Sequence, residues 1–433
     1  MPLAEKRGNA GAALQRRNRA AASLWQFAVV TAYRARLGDR LTERRLARAV
    51  IDKIELTKRL VAFDTTSRNS NLALIEFVRD YLDGYGVNSE LVYDASGAKA
   101  NLYATIGDAD RGGIMLSGHT DVVPIDDQNW HTDPFALTEK DDRLYGRGSA
   151  DMKGFVATLL SLVPTLVQRK LREPIHLSFS YDEEIGCIGI RTLIDVLKDR
   201  PNKPRLCIVG EPTDMQVGVG HKGKHTLRCH VHGHEAHSSL IHQGVNAIEA
   251  AAELVAKLKE IARRKRDHGP FDPDFQPPYS SVHTGLIQGG TALNIVPREC
   301  TFDFEVRPLP GDDVGAIVTE LRGFAETRIL PEMRAVRPET SILIEELSAA
   351  PGLDTPKDHE ATQLAASLSG ANGTIKVAFG TEGGLFAAAG IPTVICGPGS
   401  IDQAHKPDEY VALDQIARCE AFLQRLIDRV SVR

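Results

Sequence analysis

The sequence lacks three features that would assign it to a special class of protein. None of its six cysteines lies in a C-x-x-C pair, a pattern that predicts reduced core thiols in a cytosolic protein rather than a disulfide framework or a zinc knuckle. The net charge is -5 with no concentrated basic face, which argues against a nucleic-acid partner. No apolar run approaches the roughly 20 residues that a membrane-spanning helix needs. We therefore expect a cytoplasmic protein that binds neither nucleic acid nor membrane.

The first fifty residues differ from the rest of the chain. They contain ten arginines, three acidic residues and one short apolar patch, Leu24–Val30. An arginine-rich, acid-poor start occurs in organellar transit peptides, but a disordered or wrongly included upstream extension explains it at least as well. We expect residues 1–50 to form an arginine-rich, disordered extension.

The length of 433 residues is too great for one compact core, so two domains are expected. From Ile51 onward, short strand-like runs alternate with helical patterns, which predicts an α/β sheet with helices on both faces. The predicted strands are Ser89–Tyr93, Asn101–Ile106, Ile114–Ser117, Ile175–Ser180 and Leu206–Val209, and the predicted helices are Asp151–Lys170 and Gly189–Lys198. Residues 51–215 and 350–433 are expected to form this catalytic domain, with functional residues just beyond the strand ends.

Residues 216–349 have a different pattern. It begins with an alternating hairpin at Val217–Val231, and its elements follow the order β-α-β-β-α-β, which is typical of a ferredoxin-like module. The simplest interpretation is a smaller domain inserted between the two halves of the main sheet.

The adjacent pair Glu183-Glu184 suggests the chemistry. Two neighbouring carboxylates on one extended segment point in different directions, so one can bind a metal while the other handles a proton. Five residues are candidate metal ligands: His119, Asp151, Glu184, Glu211 and His405. Each of them alone is more often a surface carboxylate or an ordinary histidine, but three of them directly follow apolar runs. Together they predict a two-metal hydrolytic site.

The candidate ligands divide between two ions. Asp151 would bridge the ions, His119 and Glu211 would complete one, and Glu184 and His405 the other. The donor set suits two Zn²⁺ per subunit, with Co²⁺ or Mn²⁺ as alternatives. Asp121 could accept the second imidazole N–H of His119 and fix its tautomer. Glu183 would then deprotonate a bridging water and pass the proton to the leaving nitrogen.

Several motifs make the chain similar to a known group of enzymes. They are Ser117-Gly-His-Thr-Asp-Val-Val-Pro124, Tyr145-Gly-Arg-Gly-Ser-Ala-Asp-Met-Lys-Gly154, Asp182-Glu-Glu-Ile-Gly186, Gly210-Glu-Pro-Thr213 and Ala404-His-Lys-Pro-Asp408. These resemble the zinc aminoacylase and carboxypeptidase superfamily. A closer likeness, to its acetylornithine deacetylase family, comes from Gly220-His-Lys-Gly223, His237-Ser-Ser239, Gly244–Glu249, Gly289–Pro297 and Gly397-Pro-Gly-Ser400. The resemblance covers about residues 52–433 and says nothing about the first fifty.

The resemblance implies an activity and an assembly. It implies a metal-dependent amidohydrolase that cleaves N2-acetyl-L-ornithine to ornithine and acetate, with a two-zinc site and Glu183 as the acid and base. It also implies a homodimer through the inserted domain, in which His237 reaches the partner's site and stabilises the oxyanion; the alternative for His237 is a capping or hairpin histidine. The nearest alternative activity is succinyl-diaminopimelate desuccinylase or another N-acyl-amino-acid hydrolase. A metal-free binding or assembly module is the alternative from another class, although no ligand position is lost.

Three further residues are expected to bind the substrate. Arg307 can hold an α-carboxylate in a bidentate fork, and Asn294 is a second polar contact. Glu382 could pair with the side-chain ammonium of the substrate, but a structural loop contact is an equal alternative for it.

Two other patterns carry less weight. His230, His232 and His234 alternate onto one strand face without an evident carboxylate framework, so we expect solvated strand residues. Residues Gly218–Gly223 match G-x-G-x-x-G, but no helix opens there, so a dinucleotide site is not favoured.

Overall fold

The computed structural model describes residues 51–432, so the expectations for residues 1–50 lie outside the described part of the chain. The first half contains α1 (Lys53–Val61), α2 (Leu72–Asp83), β1 (Ser89–Tyr93), β2 (Ala100–Ile106), β3 (Ile114–His119), β4 (Thr138–Lys140), β5 (Arg143–Tyr145), α3 (Lys153–Ser161), α4 (Val163–Val167), β6 (Ile175–Ser180), α5 (Ile190–Leu197), β7 (Leu206–Pro212) and β8 (Val217–His221). The second half contains β9 (Lys224–His232), α6 (Ala247–His268), β10 (Ser281–Gly289), β11 (Glu299–Arg307), α7 (Val314–Phe324), α8 (Leu330–Val336), β12 (Ser341–Ala350), β13 (Leu353–Asp354), α9 (Glu360–Ser369), β14 (Thr374–Val377), α10 (Gly383–Ala388), β15 (Thr393–Gly397), β16 (Tyr410–Ala412) and α11 (Leu413–Val430).

A nine-stranded sheet forms the centre of the larger domain. Its order is β1-β2-β6-β3-β7-β15-β8-β13, with β14 beside β8. Strands β6, β3, β7 and β15 are parallel neighbours, and all four are buried at every position. One face packs against α2, α3, α9 and α11 and the other against α5 and α10. The expected α/β class, with helices on both faces, is confirmed.

The helix expected at Asp151–Lys170 is two helices in the structure. Helix α3 begins at Lys153, and a break at Leu162 separates it from α4, which carries Pro164 in its first turn. A proline has no N–H to donate to the preceding turn, so it favours the start of a new helix over continuation of the old one. Because α3 begins only at Lys153, Asp151 lies in the turn before it and not within a helix.

A second sheet, with the order β10-β11-β9-β12, forms the smaller body. Its strands are antiparallel, and α6, α7 and α8 contribute to the hydrophobic core on one of its faces. The element order is the ferredoxin-like order expected from the sequence. We call residues 224–350, which contain these elements, the module.

Strand β8 does not belong to the module. The sequence predicted a hairpin over Val217–Val231 and a boundary at residue 216, but β8 pairs with β13, β14 and β15 of the large sheet. Gly218 and Gly220 permit this pairing, because a Cβ at Gly218 would lie 3.1 Å from Ile395 and one at Gly220 would lie 2.9 Å from the carbonyl oxygen of Leu353. An alternating pattern cannot distinguish two strands of one sheet from two strands of different sheets.

The chain passes between the two bodies at two adjacent places. It leaves the large sheet between His221 and Lys224 and returns between Ala350 and Leu353. These ends are paired, Lys224 with Ala350 and His221 with Leu353, so the two crossings lie side by side.

Two compositional expectations can be compared with the structure. All six cysteines are buried free thiols, as predicted. Within residues 51–432, no helix combines the length and the apolar character needed to cross a bilayer.

Candidate metal centre

The predicted ligands come from neighbouring strand ends and from two loops. His119 is the last residue of β3, Glu184 follows β6, and Glu211 is near the end of β7. Because these strands are adjacent and parallel, their carboxyl ends meet at one edge of the sheet. Asp151, before α3, and His405, before β16, reach the same place.

The five side chains form two groups of three that share Asp151. In the first group, His119 Nε2 lies 2.9 Å from Asp151 Oδ1 and 3.7 Å from Glu211 Oε1. In the second group, His405 Nε2 lies 3.3 Å from Asp151 Oδ2 and 2.9 Å from Glu184 Oε2. The ligand atoms of each group lie within 4.8 Å of one another. Imidazole nitrogens and carboxylate oxygens in this number fit a divalent cation in each group.

The electrostatics of this cluster favour the binding of cations. Burial, reinforced by neighbouring carboxylates, raises the pKa of Glu184 to about 7 and that of Glu211 well above its usual range. Hydrogen bonds to Asp151 and Glu184 raise the pKa of His405 to about 10. Several buried acids in one place are costly unless positive charge compensates them, and without ions only protons and histidines do so.

Glu183 lies beside the two groups without belonging to either. Burial raises its pKa to about 8, with the charge of Glu184 adding to the effect. The thiol of Cys187 donates to Glu183 Oε1 at 3.2 Å. The neighbouring Glu184 contacts His405 instead, so the two adjacent carboxylates do face different partners.

Asp121 accepts the second imidazole N–H of His119, as expected, and does so through its backbone carbonyl. The Nδ1 of His119 donates to the backbone carbonyl of Asp121 at 3.0 Å, whereas the nearer carboxylate oxygen is 3.7 Å away. A carbonyl can only accept, so Nδ1 carries the proton and Nε2 is left to face the site. The carboxylate of Asp121 accepts the backbone N–H groups of Glu183 and Glu184 and the hydroxyl of Ser67. Asp121 therefore orients both His119 and the acidic pair.

Three predicted residues lie in the module. His237 and Asn294 are exposed and close together, since the Asn294 carbonyl accepts the Ser238 N–H at 3.0 Å. The His237 imidazole accepts the N–H of Ser239, which agrees with the capping alternative. Arg307 is bound through Nε to Glu305 at 2.6 Å. Within residues 51–432, no hydrogen bond or ion pair joins these three side chains to the metal ligands of the same chain.

Glu382 is buried behind the metal groups. It is 1% exposed, and its carboxylate accepts hydrogen bonds from Ser117, at 3.2 Å, and from Ser180. Burial raises its pKa to about 7. This position favours the alternative that Glu382 is a structural contact, and its pairing with a substrate ammonium stays a prediction.

The histidines of β9 do have carboxylate partners, contrary to the expectation. His230 pairs with Glu345 and His232 with Glu299, at 3.0 and 2.7 Å. These partners come from β12 and β11, so only the sheet register, not the local sequence, reveals them. Within residues 51–432 the only groups of three with metal-binding geometry are the two that share Asp151.

Two residues beside the site, Arg147 and Glu409, were not predicted from the sequence. Both are 1% exposed, and they form an ion pair at 2.8 Å. Glu409 follows His405 by four residues and Arg147 precedes Asp151 by four, which was the available signal.

The sequence is similar to proteins of one known family. Residues 115–429 match the peptidase family M20/M25/M40. The chain is 34% identical over 383 residues to an acetylornithine deacetylase of Photorhabdus laumondii, covering 87% of this chain and 96% of the relative. It is 36% identical over 377 residues to an acetylornithine deacetylase of Myxococcus xanthus, covering 85% and 94%.

Solved structures show the same fold at lower identity. An M20 family metallo-carboxypeptidase from Sulfolobus solfataricus superimposes with a TM-score of 0.70 at 17% identity, covering 87% of this chain and 98% of the other. A Bacillus subtilis protein described as a dinuclear metal-binding peptidase of the M20 family gives 0.61 at 16% identity, covering 90% and 99%.

Proposed function

The chain belongs to the peptidase family M20/M25/M40, and from that premise we propose that it hydrolyses N2-acetyl-L-ornithine to L-ornithine and acetate. The observation that carries the proposal is the pair of ligand groups sharing Asp151 at the sheet edge, beside the carboxylate of Glu183, which belongs to neither group. The likeness to acetylornithine deacetylases over most of the chain supports this acyl amino acid over succinyl-diaminopimelate.

We propose that the two groups hold two Zn²⁺ ions, with Co²⁺ or Mn²⁺ as substitutes. His119, Asp151 and Glu211 would hold one, and Asp151, Glu184 and His405 the other. When bound, the ions supply Lewis-acid chemistry: they polarise the scissile carbonyl and make water acidic. No ligand position is lost, which argues against a metal-free binding module.

The remaining steps belong to the side chains. Glu183 accepts a proton from the attacking water and donates it to the amide nitrogen as the C–N bond breaks, so acetate and a free amine leave. Burial, which raises the pKa of Glu183 to about 8, suits an acid that must return its proton. Bound cations oppose this shift, because nearby positive charge favours the carboxylate.

The substrate is tested with a panel of acetyl- and succinyl-amino acids. We expect kcat/KM for acetylornithine to exceed that for succinyl-diaminopimelate by more than about tenfold, or about 1.4 kcal/mol.

Arg307→Met should raise KM for acetylornithine by about 10–100-fold if the guanidinium holds the α-carboxylate, whereas Arg298→Met, another arginine of the module, should not. Preferred turnover of succinyl-diaminopimelate in the substrate panel would contradict the proposal that acetylornithine is the substrate. An unchanged KM in Glu382→Gln would exclude the ammonium contact.

We further propose a homodimer formed through the module. Strand β10 is at the edge of the small sheet. Apolar side chains are exposed on and near it: Leu240, Ile241, Ile248, Leu286, Ile287, Leu293 and Ile295. An edge strand beside several exposed apolar side chains is a site for pairing with another chain, and a second copy presents the same features. His237 and Asn294 adjoin this surface, from which they could reach the partner's metal groups.

Action of His237 across subunits can be measured with mixed dimers. His237→Ala should lower kcat by about 10²–10³-fold if the imidazole stabilises the oxyanion. Coexpression of His237→Ala chains with Glu183→Gln chains should restore about a quarter of the wild-type activity, because half of the dimers combine both chains and each has one intact site. Each variant expressed alone is the control. Absence of recovery in isolated mixed dimers would contradict the proposed reach of His237.

The proposed setting is the cytoplasm, where six free buried cysteines stay reduced. Release of ornithine would serve arginine biosynthesis.

A further inference from the structure

Arg147 and Glu409 connect the two loops that supply ligands to the second group. Arg147 lies in the loop that ends at Asp151, and Glu409 in the segment that follows His405. Their side chains are 1% exposed, with Arg147 Nη1 at 2.8 Å from Glu409 Oε2. Neither residue belongs to a metal group.

The Glu409 carboxylate fixes the backbone of the shared ligand. Its Oε2 accepts the N–H of Gly148 at 3.0 Å, and its Oε1 accepts those of Ala150 and Asp151 at 2.9 and 3.1 Å. Three amides of one short turn therefore converge on a single anion, as in a backbone nest. The position of the Asp151 main chain depends directly on this carboxylate.

The Arg147 guanidinium fixes the loop of His405. Its Nη1 donates to the carbonyl of Lys406 at 3.3 Å, and its Nη2 donates to Gln128 Oε1 at 2.6 Å. Gln128 in turn donates to the carbonyl of His405 at 3.0 Å. A continuous set of hydrogen bonds thus runs from the Asp151 amide to the His405 carbonyl.

Stability alone does not account for such a pair. A buried ion pair loses hydration on both sides, and apolar residues of similar size often stabilise a fold equally well. Here the Glu409 carboxylate accepts three amides of the Asp151 turn and Arg147 Nη1 donates to the His405 loop, whereas Arg147 Nε has no hydrogen-bond partner among the described residues. Metal sites need their ligands held within about half an ångström, and groups that hold the ligands change metal affinity by about 10–100-fold.

We propose that the Arg147–Glu409 pair is the positioning device of the second group, setting the distance between Asp151 and His405. The inference rests on the proposed function, in which both groups bind ions. It predicts an asymmetry. Arg147 contacts the His405 loop directly and reaches Asp151 only through Glu409, so its loss should weaken the second group far more than the first. Loss of Glu409, which holds the shared Asp151, should weaken both groups.

The asymmetry is measurable when each group is studied alone. Glu211→Ala leaves the second group intact, and His405→Ala leaves the first. In each background, Zn²⁺ affinity is measured by competition with a chromogenic chelator, with and without Arg147→Met. We expect Arg147→Met to weaken Zn²⁺ binding by about 10–100-fold in the Glu211→Ala background and to leave it within about threefold in the His405→Ala background. Arg147→Met should also change the absorption spectrum of bound Co²⁺ in the Glu211→Ala background and not in the His405→Ala background.

A matched control distinguishes an effect of Arg147 on the position of the metal ligands from the general effect of removing one buried charge. Lys265 and Asp312 form another little-exposed ion pair, in the module, at 2.7 Å. Lys265→Met should leave Zn²⁺ affinity unchanged in both backgrounds. If Arg147→Met fails to fold, Arg147→Lys keeps the charge but loses the fork and serves as the test variant.

The outcomes are distinct. Equal weakening in both backgrounds, or no weakening in either, would overturn the inference about Arg147. Unchanged Zn²⁺ affinity of both groups in Glu409→Gln would overturn the part about Glu409. Failure of the wild-type chain to bind two ions would instead refute the proposed function.

Discussion

Replacing Glu183 by glutamine should lower kcat by about 10²–10⁴-fold while two metal ions stay bound. Glutamine has nearly the same shape as glutamate but cannot accept a proton at neutral pH. Glu183 lies outside both ligand groups, so ion affinity should be preserved. Metal content by elemental analysis and kcat with acetylornithine measure the two effects on one preparation.

The neighbouring residue provides the matched control. Glu184→Gln makes the same chemical change one position along, but Glu184 lies in the second group, 2.9 Å from His405. This variant should lose an ion as well as turnover. Wild-type turnover in Glu183→Gln, or equal loss of metal in both variants, would contradict the division of roles.

The pH dependence of the wild-type enzyme follows from the same role. The base must be ionised, so kcat/KM should rise with pH through the pKa of Glu183. Without ions that pKa is about 8, and bound cations lower it, so the acid limb should lie below pH 8. The limb due to this group should be missing in Glu183→Gln.

Asp151→Asn should cause the largest loss of Zn²⁺ affinity and of kcat/KM, because Asp151 is a ligand of both groups. Oδ1 of Asp151 faces the first group and Oδ2 the second. An amide replaces one of these oxygens by an NH₂ group, which donates hydrogen bonds and cannot bind a cation. Zn²⁺ should weaken at both groups, and kcat/KM should fall by more than the roughly 10²–10⁴-fold expected of the Glu183 variant.

Two variants limit the interpretation of Asp151→Asn. Glu211→Gln, in the first group only, should weaken one ion and spare the other. Asp182→Asn, which removes a carboxylate paired with Lys99 outside both groups, should bind two ions normally. Two ions bound at wild-type affinity in Asp151→Asn would exclude a shared ligand.

The sequence predicted which residues lie at the strand ends better than it predicted the boundary between the larger domain and the module. His119, Glu184 and Glu211 could be found because each follows an apolar run, and parallel strands place such positions at one edge. The assignment of β8 to the module was wrong because alternation records the burial of a strand but not its partner.

Contacts made by the backbone were the hardest to foresee. The carbonyl of Asp121 and the amides that converge on Glu409 carry no information about residue type. The carboxylates beside His230 and His232 come from strands that lie 115 and 67 residues away along the chain, respectively. Such contacts depend on the tertiary structure, which the local spacing of residues in the sequence does not define.

The paired crossings between the two bodies restrict how the module can move. Two adjacent covalent links favour rotation of the module about the line through them over translation. The module is also bonded to the larger domain away from this line, by the Lys376–Asp272 ion pair at 2.6 Å and by Lys222, which donates to the carbonyls of Pro277 and Tyr279. The crossings at His221–Lys224 and Ala350–Leu353 define one such line. We therefore expect rotation of the module about this line, which would carry His237 and Arg307 with it, to require that the contacts of Lys376 and Lys222 break.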